Sequence, residues 1–128
     1  MVEFILYIEN QSLSRDFYSK LLQKEPVLDV PGMTEFLLAE NCKLGLMPSS
    51  GIAKIIGKSM MHPTNGKGIP RCELYLFIGD VADCFNRAVT MGATPVSEPD
   101  RRDWGDIVAY VADPDGHIIA FAEKPSNH

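Results

Sequence analysis

The sequence predicts an α+β fold made of two tandem βαβββ modules that together form a cup-shaped mixed sheet. Three observations predict it: an internal repeat, an amphipathic helical pattern after each copy of the repeat, and turn signals spaced for short strands. Residues 3–10 read Glu-Phe-Ile-Leu-Tyr-Ile-Glu-Asn and residues 73–80 read Glu-Leu-Tyr-Leu-Phe-Ile-Gly-Asp. They align without gaps at an offset of 73 − 3 = 70 residues. Self-similarity at a fixed offset is the signature of a duplicated structural unit. Both copies are β-branched and aromatic, as strands are.

Each copy is followed by a helix. Leu13, Phe17, Leu21 and Leu22 recur at three- and four-residue spacing, which places them on one face of a helix over 12–23. Asn10 or Ser12 is its N-cap, and Pro26 lies beyond its end. Val81, Cys84, Phe85, Ala88 and Val89 repeat the spacing, with Asp80 as cap and Gly92 just past the helix. Short extended segments then follow over 26–30, 34–40 and 42–47 in the first half. Their counterparts in the second are 94–98, 106–112 and 117–123. Pro31-Gly32 and Asp113-Pro114-Asp115-Gly116 are the turns. Residues 48–71 connect the halves and are rich in Gly and Pro, which suggests a mobile functional loop near the cup. Within it Ile52, Ile55 and Ile56 suggest a short packed helix.

Bulk properties set limits on function. The chain has 128 residues, enough for one compact domain, with module 1 over about 1–48 and module 2 over about 72–128. The net charge is −5 with no run of Lys or Arg, which argues against nucleic acid and anionic membranes as partners. The start, Met1-Val2-Glu3, lacks the basic character of a signal peptide, and no apolar run is long enough to span a bilayer. Cys42, Cys72 and Cys84 are an odd set without CxxC spacing, as expected of thiols in a reducing, cytoplasmic compartment.

Alternation along a strand assigns faces. Glu3, Ile5 and Tyr7 share one face of the first strand; Glu73, Tyr75 and Phe77 share the corresponding face of the second copy. The alternate residues, Phe4, Leu6 and Ile8 and Leu74, Leu76 and Ile78, suit packing against helices. A carboxylate among Leu and Ile would be costly, so the acids and aromatics are assigned to the concave side.

The two modules resemble the vicinal oxygen chelate superfamily, which includes glyoxalase I, extradiol dioxygenases, fosfomycin resistance enzymes and bleomycin resistance proteins. The residues that carry the likeness are Phe17-Tyr18 on the first helix and Trp104-Gly105 leading into Ala112-Asp113-Pro114-Asp115-Gly116-His117. In metal-using members the ligands lie at the start of the first strand and on the last strand of each module. Carried over, these positions are Glu3 and Glu73, with Gly45 and Ala120. Gly and Ala offer no donor, whereas a catalytic metal needs about three protein ligands. The resemblance therefore implies no metal and no cofactor, and space opposite the acids instead.

The expected ligand-binding residues are Glu3, Tyr7, Gly45, Glu73, Tyr75, Phe77, Trp104 and Ala120. They line a metal-free cup for a small aromatic or cationic molecule, as in the bleomycin-resistance branch. The alternative is a metal-dependent lyase or dioxygenase using Glu3 and Glu73, with His62 as a third donor. A third reading keeps the fold with an occluded cup. Plainer roles also exist. Glu3 is then a solvated acid at a strand end, and Glu73 is paired with Arg71 or Lys67. The aromatics are core, and Arg101-Arg102-Asp103 is a solvated turn. Open sheet edges point to a homodimer.

Overall fold

The computed structural model describes residues 1–126 of the chain. It divides into two compact units, Met1–Lys67 and Gly68–His128. The first contains β1 (Val2–Ile8), α1 (Gln11–Leu22), β2 (Leu28–Val30), β3 (Met33–Ala39), β4 (Cys42–Pro48) and α2 (Ser49–Ile56). The second contains β5 (Glu73–Leu76), α3 (Val81–Thr90), β6 (Thr94–Arg101), β7 (Ile107–Ala112) and β8 (Ile118–Glu123). The sheet orders are β1-β4-β3-β2 and β5-β8-β7-β6, the same connectivity twice. In each, the opening strand runs parallel to the last strand, and the other pairs are antiparallel. The repeat in sequence is thus a repeat of the βαβββ unit.

Helix boundaries follow from local chemistry. Asn10 Oδ1 accepts the Leu13 N–H at 3.0 Å, and Asp80 Oδ1 accepts the Asp83 N–H at 3.0 Å. Each satisfies a backbone donor that the first turn leaves unpaired. Helix α1 ends on Gln23 in the left-handed region. The connecting stretch is more ordered than its glycines and prolines suggest. It holds α2 and a 3-10 turn at Pro63–Gly66, where the His62 side chain accepts the Thr64 N–H. Ile52 and Ile56 are half-buried, but Ile55 is exposed, so only part of that triplet packs.

In the first unit Phe17, Tyr18, Leu21 and Leu22 of α1 are buried with Ile8, Phe36, Leu44 and Leu46. In the second, Val81, Cys84, Phe85 and Ala88 of α3 are buried with Leu76, Ala109, Val111, Ile119 and Phe121. These are the faces assigned to helix packing, with three corrections. Leu13 of α1 and Ile78, beyond the end of β5, were expected on those faces but are 54% and 43% exposed. Phe4 was expected against a helix but is 60% exposed, and Val2 is exposed as well. The reason is position: β1 is the edge strand of its sheet, and α1 packs chiefly over β3 and β4. No helix among the described residues is long and apolar enough to cross a membrane.

Candidate functional site

The face of the second sheet turned away from α3 carries Tyr75, Ala120 and Tyr110 side by side, because Ala120 pairs with Tyr75 on one side and Tyr110 on the other. Beneath the rings lie Val108, Ala120 and Ala122, all buried. The space expected over Ala120 is therefore filled by the two tyrosines. Burial is the main cause that pushes the Tyr110 phenol upward, with the nearby Glu73 carboxylate second. Glu73 itself is exposed.

One end of this row is polar. Alternation continues past the strand ends, so Asp106, two residues before Val108, and Lys124, two after Ala122, lie on the same face. The Tyr75 hydroxyl donates to Asp106 Oδ2 at 2.6 Å, and Lys124 Nζ donates to Asp106 Oδ1 at 2.8 Å. Trp104 Nε1 donates to the Tyr75 oxygen at 2.8 Å. The ammonium of Lys124 sits 5.4 Å from the centre of the Phe77 ring, which packs edge-on against Tyr75 with centroids 5.5 Å apart. Asp106 is only 4% exposed. Lys124, then Tyr75, hold its carboxyl below the usual range. Desolvation, then the bond to Asp106, pushes the Tyr75 phenol up.

Trp104 is presented by a tight turn. Gly105 has φ +101°, a backbone conformation that side-chain-bearing residues rarely adopt, and its N–H bonds to the Arg102 carbonyl at 2.9 Å. Arg102 is not the solvated charge expected of this turn. Its guanidinium donates to the carbonyls of Glu98 and Val108 and to Ser97 Oγ, and lies 5.2 Å from the Tyr110 ring centre. It ties β6 to β7 behind the tryptophan.

The corresponding face of the first sheet differs. Gly45 pairs with Ile5 and Glu35, and a Cβ at Gly45 would lie 2.5 Å from Glu3 Oε2. The space left by glycine is therefore taken by the Glu3 carboxyl. Glu3 Oε2 is buried and has no hydrogen-bond partner among the described residues. Desolvation first, then the adjacent Glu35 carboxyl, raises the Glu3 pKa above its ordinary value. Lys43 Nζ lies 3.4 Å from Glu35 Oε1. Tyr7 is partly exposed on this face.

The residues expected on the concave side thus fall into two groups, each on its own module. Glu3, Tyr7 and Gly45 are on the first; Glu73, Tyr75, Phe77, Trp104 and Ala120 are on the second. Lys67, considered as a partner for Glu73, pairs with Glu9 instead. Asp106, Lys124, Tyr110, Glu35 and Lys43 were missed. Applying the strand alternation to the segment 106–112 would have found Asp106, and continuing it one step past 117–123 would have found Lys124.

The chain matches the glyoxalase-like domain over residues 1–125. It belongs to the glyoxalase-like family. The family sits within the vicinal oxygen chelate superfamily, and the paired βαβββ modules are its architecture. An uncharacterized protein of Mycobacterium bovis is 30% identical over 115 residues, covering 88% of this chain and 75% of that protein. A glyoxalase-related enzyme from Fulvimarina pelagi superposes with a TM-score of 0.80 at 23% identity, covering 95% of this chain and 86% of that one. A glyoxalase/bleomycin resistance protein/dioxygenase from Nocardioides gives 0.72 at 17% identity, over 99% and 87%. At such identities the two structures share the fold alone.

The sequence raises a metal-dependent alternative using Glu3 and Glu73, so the fit of a metal to this glyoxalase-like chain matters. Gly45 and Ala120 supply no donor, and the group found beside Glu3 is a single further carboxyl, that of Glu35. No three His, Cys, Asp or Glu side chains group to hold a metal among the described residues. His62 Nδ1, a possible third donor, accepts the Thr64 N–H at 3.2 Å. The donor set does not fit a catalytic metal, which needs about three protein ligands and an open position.

Proposed function

We propose that this glyoxalase-like protein binds a small aromatic or cationic molecule without a metal, chiefly on the concave face of its second module. One observation carries the reading. Trp104 and Phe77 are 59% and 54% exposed, yet both rings converge on Tyr75 beside the buried Asp106 carboxylate. Large aromatic rings held in place while open to water are a feature of recognition surfaces. Aromatic faces next to an acid favour a flat or positively charged guest.

A metal-dependent lyase or dioxygenase using Glu3 and Glu73 is the second reading. It is favoured by one feature, the buried and unpartnered Glu3 Oε2. Metal content and thermal shift separate the two, measured with Zn²⁺, Mn²⁺, Ni²⁺ and chelator. The binding reading expects no stoichiometric metal and an unchanged melting temperature. A large rise specific to one metal would overturn it, since binding to the folded state alone raises stability.

We further propose that the protein is a homodimer. Exposed Val2 and Phe4 on an edge strand support this, because such edges are normally covered. Light scattering reads the mass directly, and a monomer at micromolar concentration would contradict it.

A further inference from the structure

We propose that the corner formed by Asp106, Phe77, Tyr75 and Trp104 is a receptor for a ligand's primary ammonium group, and that Lys124 is a built-in occupant which such a ligand displaces. This rests on the binding reading above and names the head group that the site selects. Lys124 Nζ sits where an ammonium would be held, 2.8 Å from a carboxylate oxygen and 5.4 Å from an aromatic centroid. An ammonium is a compact charge with short-range donors, and this corner meets it with one carboxylate oxygen and one aromatic ring. The charged partner is built in: Asp106 is buried, and the Tyr75 hydroxyl fixes its second oxygen at 2.6 Å.

The occupant is loosely held by comparison. The Lys124 side chain is 75% exposed, against 6% for that of Asp106. A buried carboxylate left without a cation is disfavoured, so Asp106 favours a positive charge beside it. An exposed lysine on a flexible stem loses little by moving into water, because an ion pair with one end solvated is weak. Exchange of one ammonium for another therefore conserves the charge of the corner. A neutral ligand cannot make that exchange and finds Lys124 in place. The ligand class that follows is an arylalkyl amine: an aromatic body against the Trp104 and Phe77 rings, and a primary ammonium on Asp106.

Trp104 is the chain's single tryptophan, so its emission reports on this corner alone. The test titrates 2-phenylethylammonium, 2-phenylethanol and phenylacetate against the protein and its Lys124→Met and Asp106→Asn variants. In the wild type the amine binds more tightly than the alcohol. In Lys124→Met the amine gains about tenfold in affinity while the alcohol stays within about twofold. In Asp106→Asn the preference for the amine disappears. Equal gains for amine and alcohol in Lys124→Met would overturn the proposal, since Lys124 would then be a steric obstacle only. Phenylacetate binding best, and failing in Lys124→Met, would also overturn it, with Lys124 as the ligand's partner. Binding of all three with no charge preference sinks the ammonium receptor and leaves the aromatic cup standing. No binding by any probe in any variant removes both.

Discussion

The two modules carry different chemistry on the same row of the same strand pair. In the first, Ile5 faces Gly45, and the Glu3 carboxyl folds into the space that glycine leaves. In the second, Tyr75 faces Ala120, and two tyrosine rings close over the alanine. The backbone plan is common to both, whereas the sheet faces turned away from the helices differ, one carrying a carboxyl pair and the other an aromatic corner. Conserving the fold through duplication leaves the face residues free to change, because the cores against α1 and α3 do not depend on them. Function has to be read from one face at a time.

The comparison is broken most forcefully by enlarging the small residue. Ala120→Leu must push two packed rings aside and is expected to cost about 1–3 kcal/mol in urea unfolding. Gly45→Ala is expected to cost less, since the obstructing atom is the far end of the flexible Glu3 side chain. Glu3→Ala combined with Gly45→Ala should recover that smaller loss. A Gly45→Ala cost that persists in the double variant would show that Ile5 or Met33, the next neighbours, set it.

Acid titration sharpens the contrast, because the two carboxyls shift in opposite directions. The Asp106 carboxyl lies below its ordinary value, so its contribution to stability is present above the ordinary carboxylate range. That contribution is lost as pH falls through the lowered value. Asp106→Asn should flatten this acid limb of the melting curve. The Glu3 carboxyl is shifted up, so the wild type loses stability as pH rises from the ordinary value through the raised one. Glu3→Gln should therefore melt higher than wild type at pH 7 and almost equally at pH 4. This is the smallest effect expected, and its reversal at pH 7 would show Glu3 to be usefully ionised.

Most of the fold is legible in the sequence because it depends on periodicity and caps. The Asn10 and Asp80 caps and the Asp-Pro-Asp-Gly hairpin act locally, and the repeat that begins at Glu3 and Glu73 shows the same local pattern twice. The candidate site is less legible because side-chain reach is not local. Alternation assigns Tyr75 and Glu3 to their faces, but it cannot show that Glu3 bends onto Gly45 or that Tyr110 covers Ala120. Arg102 reads as a solvated charge until the carbonyls of Glu98 and Val108 are seen around it. Phe4 reads as core until its strand proves to lie at the edge of the sheet.

The measurement that bears most directly on the central claim is calorimetric titration, in EDTA, of planar aromatic molecules, neutral and cationic, against wild type and Tyr75→Ala. Metal-free recognition on the second module predicts that binding persists in EDTA and weakens by at least about tenfold in Tyr75→Ala, in keeping with the loss of an aromatic anchor. Binding that vanishes in EDTA and returns with a divalent metal, or that ignores Tyr75→Ala, would contradict it.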